Sequence, residues 1–290
     1  MGEQREVART AVRALDLLTH LADGGQRGLT ARQLSELLEA PRSSVADILK
    51  VLGSRGFVAA TDDGRGWRLD ARVLQLSNAY LREFSVREIG RTAMRELASR
   101  TGLTCQMAVL EQTDIVYIER QDGTKRGELR LVTEIGSRLP AHCTSLGKAM
   151  LAALPEAELD RIYGSAPQLG ARTKSSITTF ARLKADLAFV RRRGYATDLE
   201  ETAEGIVCVG AAIVGTEGRP EAAISLAGVR ARLSVRAIED LGRLVARTAA
   251  RITTERGGVA TVVRRPRGRA LRTHAGRRRR LVSAERSARG

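Results

Sequence analysis

Aromatic residues and cysteines are scarce in this chain of 290 residues. Aromatics make up 3% of the sequence, which leaves little material for a nucleic-acid surface built on stacked rings. The three cysteines, Cys105, Cys143 and Cys208, lie far apart without a C-x-x-C pair. This spacing argues against a disulfide framework and against a cysteine-rich zinc site. Because the chain also has only three histidines, we expect no metal site and no cofactor.

Long apolar runs are also missing. No stretch approaches the roughly 20 uninterrupted apolar residues that a membrane span requires. The N-terminus, Met1-Gly2-Glu3-Gln4-Arg5, lacks the basic-then-apolar pattern of a signal peptide. We therefore expect a cytoplasmic protein with no membrane partner, built from one large or two modest domains.

Positive charge is abundant but unevenly placed. The formal net charge is +16, and the last 34 residues alone carry 11 basic and one acidic side chain. Residues 257–290 also lack apolar periodicity, which predicts a disordered Arg-rich tail. Two interpretations of this tail stand side by side: sequence-independent phosphate binding favoured by counterion release, or a solvated appendage.

Three helical segments follow one another at the N-terminus. The first is predicted from apolar residues at helical spacing, which we expect to form a core: Val12, Leu15, Leu18 and Ala22. A capping box over residues 30–33 opens a second helix of about 8 residues. Pro41, a favourable first-turn residue, begins a third, with apolar positions at Val45, Ile48, Leu49 and Leu52. Two short helices joined by a tight turn are typical of a DNA-binding helix-turn-helix.

The third helix and the segment after it supply the candidate DNA contacts. Strand patterns at 57–59 and 67–69 around a Gly-rich turn predict a wing, with Trp67 packing rather than stacking. The alternative to a DNA-contacting wing is an exposed hairpin that only aids solubility. The predicted contacts are Arg42, Ser43 and Ser44, then Asp47 and Lys50 on the exposed helix face, with Arg65 and Arg68 on the wing.

Residues 1–70 thus form a predicted winged helix-turn-helix domain. The first 80 residues carry a net charge of only +1, which is low for a lone DNA-binding module. Pairing two such modules would raise their effective affinity for two half-sites of double-stranded DNA. Apolar residues over 72–84 predict a helix, and we assign 71–85 as a linker helix that supports pairing.

Residues 86–256 form a mixed second domain. Helical patterns cover 87–100, 146–154 and 180–193, whereas β-branched and apolar runs predict strands at 104–110, 115–119, 128–133, 208–214 and 221–227. This arrangement predicts an α+β fold with a central antiparallel sheet, flanking helices and a pocket on one face.

Several segments of this domain resemble one known family. Residues 136–149 (GSRLPAHCTSLGKA) are similar to the signature of IclR-type bacterial transcriptional regulators, and 172–178, 193–201, 205–208 and 222–228 follow the family pattern in order. The resemblance covers residues 7 to about 255. It implies a winged helix-turn-helix, a linker helix and a GAF-like effector-binding domain in homodimers or homotetramers, acting on transcription, often as a repressor, with a small organic acid as effector.

Carried over by position, the resemblance implies five effector-binding residues: Ser145, Leu146, Asp198, Cys208 and Ser225. A second serine of some acid-binding members falls on Ala227, which removes a hydroxyl donor. In the recognition helix, Asp47 stands where members commonly carry a basic or polar residue. Its carboxylate either accepts a hydrogen bond from the N4 amino group of cytosine or contacts nearby arginines.

The residue chemistry supports an anionic effector. Ser145 and Leu146 would begin a helix, where backbone N–H groups and the dipole favour a carboxylate. Ser225 and Cys208 would add hydrogen bonds, although Cys208 equally fits a buried small hydrophobe. Asp198 would accept a ligand hydroxyl or hold its own loop. Adjacent His142 and Cys143 point to opposite sides of an extended segment, so a catalytic couple is unfavourable.

Two hypotheses of different class follow. The preferred one is a ligand-responsive regulator that binds an operator palindrome. The alternative is a largely non-specific architectural DNA-binding protein driven by the Arg-rich tail. No acid–base pair or phosphate loop is visible in the sequence, so we expect no enzyme activity.

Overall fold

The computed structural model describes residues 2–123, 133–165 and 168–258. The chain divides into two compact units, Met1–Ser85 and Val86–Gly290. The strand predicted at 128–133 lies outside the described residues except for Thr133, and the predicted disordered tail lies outside them beyond Gly258. None of the helices in the described ranges is both long and apolar enough to cross a membrane.

The first unit is a winged helix-turn-helix, as the sequence predicted. Its helices are α1 (Gly2–Asp23), α2 (Ala31–Leu37), α3 (Arg42–Ser54) and α4 (Ala71–Arg82), with a hairpin between α3 and α4. The hairpin strands, β1 (Val58–Ala60) and β2 (Trp67–Leu69), pair antiparallel. Trp67 also bridges to Leu29 through two backbone hydrogen bonds, which attaches the wing to the segment before α2.

The capping box predicted at the start of α2 is confirmed. The Thr30 side chain accepts from the Gln33 N–H at 3.2 Å, and the Gln33 side chain accepts from the Thr30 N–H at 2.9 Å. Pro41 proves to be the N-cap of α3 rather than its first helical residue. Glu39 has a positive φ of 47°, which reverses the chain between the two helices.

The predicted core face of α1 is partly wrong. Val12 and Leu15 are 55% and 65% exposed, and Ala22 is exposed as well. The core instead takes Leu17 and Leu21. This helix carries two apolar stripes, and helical periodicity alone cannot say which of them the rest of the unit covers.

The linker helix α4 lies within the first unit's range and buries no residue. Asp70 caps it by accepting from the Ala71 N–H at 2.7 Å. Leu74 and Leu76 are 63% and 56% exposed. The helix thus presents an apolar surface to solvent.

The second unit is built on a six-stranded antiparallel sheet with strand order β5-β4-β3-β8-β7-β6. Its strands are β3 (Thr104–Glu111), β4 (Asp114–Gln121), β5 (Arg138–Pro140), β6 (Ala196–Leu199), β7 (Ile206–Val214) and β8 (Pro220–Val229). Its helices are α5 (Ser85–Thr101), α6 (Ser145–Ala153), α7 (Glu156–Tyr163), α8 (Phe180–Arg193) and α9 (Val235–Glu255). The predicted α+β fold is therefore confirmed, while α7, α9, β5 and β6 were missed.

Helices cover both faces of this sheet. On one face Met107 of β3 packs between Gly90 of α5 and Ile252 of α9, so a Cβ on Gly90 would come within 2.4 Å of the Met107 Cε. On the other face the core joins sheet residues such as Ala108, Tyr117 and Ala223 to residues of α6, α7 and α8. This second face also carries the candidate effector residues.

Glycine at position 210 permits α6 to approach the sheet. A Cβ on Gly210 would lie 2.8 Å from the Ser145 carbonyl oxygen and 3.1 Å from the Leu146 amide nitrogen. Both are backbone atoms, so they cannot move aside as a flexible side chain can.

We therefore expect Gly210→Ala to lower the free energy of unfolding by about 1–3 kcal/mol, the usual cost of overpacking a tight core. Urea unfolding followed by circular dichroism measures it. Gly170→Ala is the matched control, since a Cβ there meets no atom within 4 Å. Equal stabilities of the two variants would contradict the close-approach argument.

Candidate functional site

The exposed side of α3 carries the predicted base-contacting residues. Val45, Ile48 and Leu49 face the core, so the opposite side of the helix is solvent-facing. Ser44 is half-buried, and the remaining predicted residues of this helix are exposed: Arg42, Ser43, Asp47 and Lys50. The helix therefore presents polar and charged side chains with hydrogen-bonding ability at its N-terminal end.

The wing is held by its own turn. Asp63 accepts from the Thr61 hydroxyl and from the Arg65 N–H. Arg65 is exposed, and Arg68 forms an ion pair with Asp62 at 3.1 Å, with the two side chains 49% and 92% exposed. Such an exposed pair is weak, so phosphate can compete for Arg68. Trp67 packs against the core, as predicted.

Asp47 is exposed and forms no ion pair with any described residue. The expected contact with nearby arginines is thus not made in this structure. Its carboxylate stands on the same solvent-facing side as Arg42 and Lys50.

The five predicted effector residues meet on one face of the second unit's sheet. Strand pairing aligns Asp198, Cys208 and Ala227 in one row. The adjacent row aligns Gly210 with Ser225. Directly opposite residues of neighbouring strands share a face, so these side chains lie together although the sequence separates them.

The N-terminus of α6 completes this group. The Thr144 hydroxyl caps the helix by accepting from the Gly147 N–H at 2.9 Å, and both Ser145 and Leu146 are buried. Within the described part of the chain, the N–H groups of Ser145 and Leu146 donate no hydrogen bond. Such N–H groups at the positive end of a helix favour an anion.

Asp198 is fixed by its own loop. One carboxylate oxygen, Oδ1, accepts from the Glu201 N–H at 2.7 Å and from the Thr202 N–H at 3.3 Å. Burial raises the pKa of this carboxyl, and these hydrogen bonds oppose the rise. Oδ1 therefore holds the loop.

Further polar groups surround these residues. Burial raises the pKa of Tyr117, and nearby Cys208 and Asp198 raise it further. Burial likewise raises the pKa of Cys143 to about 11, so its thiol is neutral. His142 bonds the Gly170 carbonyl at 2.9 Å through Nε2, whereas the Cys143 thiol donates to the Pro140 carbonyl. The side chains of His142 and Cys143 thus form hydrogen bonds with different groups.

Comparison with known families decides what this architecture belongs to. A family described as the bacterial transcriptional regulator IclR C-terminal domain matches residues 78–254, and the IclR helix-turn-helix domain matches residues 10–62. The chain belongs to the IclR family. IclR-family proteins regulate transcription through DNA, and the relatives are regulators rather than enzymes.

Named relatives share most of their length with this IclR-family chain. The transcriptional repressor IclR of Escherichia coli is 30% identical over 254 residues, which is 87% of this chain and 91% of the relative. The repressor AllR of Klebsiella pneumoniae is 30% identical and covers 88% of this chain and 94% of its own. The crystal structure of Thermotoga maritima IclR is 28% identical, covers 86% of this chain and 98% of its own, and superposes with a TM-score of 0.73.

Next to the candidate effector residues, this IclR-family domain buries a charge cluster that the sequence reasoning missed. Lys148, 1% exposed, lies within the largely apolar helix α6. Its Nζ contacts Glu201 Oε1 at 2.5 Å and Asp186 Oδ2 at 3.1 Å. A lysine inside a predicted buried helix was the available signal, because a buried ammonium requires a partner.

Two carboxylates therefore share one ammonium. Burial lowers the pKa of Lys148, but contact with Glu201 and Asp186 outweighs this and raises it overall. Burial raises the pKa of Glu201 to about 7, against the pull of Lys148. Because the folded pKa of Glu201 exceeds its unfolded value of 4.5, this group stabilises the fold at low pH, and the contribution is lost as pH rises toward 7.

Among the described residues, no group of three or more His, Cys, Asp or Glu side chains is arranged to hold a metal ion. The cluster around Lys148 consists of one ammonium and the carboxylates of Asp186 and Glu201. It joins α6, α8 and the loop after β6.

We expect Lys148→Met to lower the free energy of unfolding by about 3–5 kcal/mol at pH 8, because it leaves the buried Glu201 carboxylate and the half-buried Asp186 carboxylate without their ammonium partner. At pH 5.5 the loss should be smaller, since the Glu201 carboxyl, with its pKa of about 7, then binds a proton. Urea unfolding at both pH values measures this. Lys184→Met, which removes an exposed partner of Asp160, is the control. An equal loss at both pH values would contradict the shared-charge interpretation.

Proposed function

We propose that this IclR-family regulator is a ligand-responsive repressor that binds a palindromic operator as a homodimer or homotetramer in the cytoplasm. One chain carries both an exposed polar recognition helix, α3, and a polar niche on the sheet of the second unit, and this observation carries the proposal. The niche is formed by the candidate effector residues Ser145, Leu146, Asp198, Cys208 and Ser225. DNA binding at one unit would respond to a small organic acid at the other.

The recognition helix is proposed to read bases through its first turns. Arg42 can pair bidentately with guanine O6 and N7. Ser43 and Ser44 can contact phosphate or base edges, and Lys50 can contact phosphate. Asp47 repels phosphate and can accept from cytosine N4. The wing residues Arg65 and Arg68 are proposed to contact backbone phosphates.

Exposed apolar residues support pairing of the first units. Leu15 of α1 and Leu74 of α4 are each more than 60% exposed, and α4 buries nothing within the described chain. Apolar surface of this kind marks protein–protein contact. Dimerisation also compensates for the low net charge of the first 80 residues, because two half-site contacts then act together.

The proposed effector is a small organic anion with an apolar part. Its carboxylate would accept from the N–H groups of Ser145 and Leu146, and Ser225 would donate a further hydrogen bond. Ala227, in the row of Asp198 and Cys208, contributes a methyl group where some family members have serine. A less polar acid is therefore favoured over a small, highly polar one.

Arg42→Ala should remove operator preference, with a loss of about 1–3 kcal/mol in discrimination against the wrong base. The measurement is a competition titration of the protein's upstream DNA against random DNA at several salt concentrations. Arg247→Ala, an exposed arginine of α9, is the matched control. Unchanged preference in Arg42→Ala would show that α3 does not read the bases.

The same titration separates the two functional hypotheses when repeated on a chain ending at Arg256. A preference of roughly 10³-fold or more in the shortened protein supports the regulator. The opposite result is that neither the full-length nor the shortened protein prefers the upstream DNA, and that shortening removes most of the DNA affinity and most of its dependence on salt concentration. That result would favour the non-specific binder driven by the tail. DNA with a single half-site tests pairing, because a dimer binds it much more weakly than the palindrome.

Ser225→Ala should weaken the response to an effector while leaving DNA affinity nearly intact. A panel of small mono- and dicarboxylic acids is screened by thermal shift of the unmodified protein, and the hits are titrated against the variant. Losing one neutral hydrogen bond should raise Kd by roughly 2- to 10-fold. Ser175→Ala, at an exposed loop position, is the control. An unchanged Kd in Ser225→Ala would remove Ser225 from the site.

A further inference from the structure

The polar niche has little positive charge of its own for an anion. It contains the buried carboxyl of Asp198. The neighbouring Lys148 ammonium is already shared by the carboxylates of Asp186 and Glu201. The N–H groups at the start of α6 contribute only the partial charge of a helix end. Because a carboxylate withdrawn from water is stable only beside a counter-charge, an anionic effector requires a further cation at this place.

Arg172 supplies a cation with donors to spare. Its Nε donates to the Thr202 carbonyl at 3.3 Å. Its two Nη groups form no hydrogen bond or ion pair with any residue in the described ranges. Arg193 is another cation in this region, but its guanidinium already donates to the Tyr195 carbonyl and to the Thr197 hydroxyl. Arg172 is therefore the better placed of the two arginines to receive a carboxylate.

Thr202 connects Arg172 to the polar niche. The Thr202 N–H donates to Asp198 Oδ1 at 3.3 Å, and the Thr202 hydroxyl donates to the Cys143 carbonyl at 3.0 Å. Cys143 directly precedes Thr144, the N-cap of α6. The Arg172 guanidinium thus lies at the rim of the niche, near the helix end whose first N–H groups donate no hydrogen bond within the described chain.

The charge of Arg172 also acts on buried groups beside the niche. Burial raises the pKa of the Cys143 thiol and of the Tyr117 hydroxyl, and the Arg172 cation opposes both rises. A cation has this effect only when it lies close to the titrating group. Since Arg172 itself is exposed, it stands between solvent and these buried side chains.

The backbone that carries Arg172 is fixed to the loop after β6. The Ser176 hydroxyl accepts from the N–H groups of Arg172 and Thr173, at 3.0 and 2.9 Å. The same hydroxyl donates to the Glu201 carbonyl at 2.7 Å, and the Thr173 hydroxyl donates to the Glu200 carbonyl at 2.6 Å. A planar guanidinium held on a fixed backbone loses little conformational freedom when it binds a carboxylate.

We propose that Arg172 is an effector-binding residue whose Nη groups form an ion pair with the effector carboxylate. The inference rests on the proposed binding of a small organic acid and adds the residue that supplies its counter-charge. A carboxylate has about four lone-pair sites, so it can accept from the guanidinium and from the N–H groups of Ser145 and Leu146 together. Charge-assisted hydrogen bonds are stronger than neutral ones, so the site favours an ionised acid over the neutral amide of the same shape.

The test is a thermal-shift titration of the full-length chain with pentanoate and benzoate, and with pentanamide and benzamide as neutral analogues. Arg172→Gln should raise the Kd of both acids by roughly 10- to 100-fold, as expected for loss of hydrogen bonds between charged groups, and leave the Kd of the amides nearly unchanged. Arg172→Lys keeps the charge but not the planar fork, so its Kd for the acids should be intermediate. Lys174→Gln, which removes an exposed cation of the same loop, is the matched control.

The deciding quantity is the ratio of the amide Kd to the acid Kd. Because the ratio compares two ligands on the same protein, a loss of stability in a variant cannot produce the expected change. An unchanged ratio in Arg172→Gln would overturn the inference and leave the proposed effector function in place. An equal change in Lys174→Gln would overturn it as well, since any cation of the loop would then have the same effect. If neither acid stabilises the unmodified protein, the proposed effector class is wrong, and this inference fails with it.

Discussion

The burial of one ammonium between two carboxylates is the interaction on which the effector unit depends most. Lys148 Nζ lies at the meeting point of α6, α8 and the loop after β6. An unpaired charge at such depth costs several kcal/mol, so Asp186 and Glu201 must stay beside it. Glu201 in turn donates its N–H to Asp198. The position of a candidate effector residue therefore depends on a charge cluster that need not touch the effector.

Small residues allow the candidate effector residues to come together on the sheet behind this cluster. Gly210 allows the N-terminus of α6 to rest on the backbone of β7, and Gly147 allows the same helix to lie against Ala141. Larger side chains at either position would lift the helix and with it the N–H groups of Ser145 and Leu146. The polar niche exists because the helix end sits so close to the strands that carry Cys208 and Ser225. Close backbone packing thus brings these polar groups together.

The two units divide the work of a regulator. In the first, polar side chains face solvent on α3, while Leu15 and Leu74 present apolar surface elsewhere. In the second, polar groups are buried within a sheet covered by helices. DNA contact requires exposure, whereas binding of a small anion benefits from exclusion of water. The exposed apolar residues fit the proposed pairing of the first units.

Structural features that depend on only a few neighbouring residues could be predicted from the sequence. The Thr30–Gln33 capping box, the end of α8 at Gly194 and the helix-turn-helix spacing could be predicted, because caps and left-handed glycines act over a few residues. The motif segments likewise indicated the family, and with it the residues that line one face. The core face of α1 could not be predicted, since two apolar stripes compete and only the neighbouring elements decide which is covered.

Long-range pairing was decided by the tertiary structure alone. Lys148 meets Glu201 across 53 positions of sequence, and β6 becomes a strand only because β7 lies beside it to accept its hydrogen bonds. By itself the sequence determined the family and most of the elements in their order, although not α7, α9, β5 or β6. The buried charge cluster arises from contacts between distant segments, and no local pattern of residues encodes such contacts.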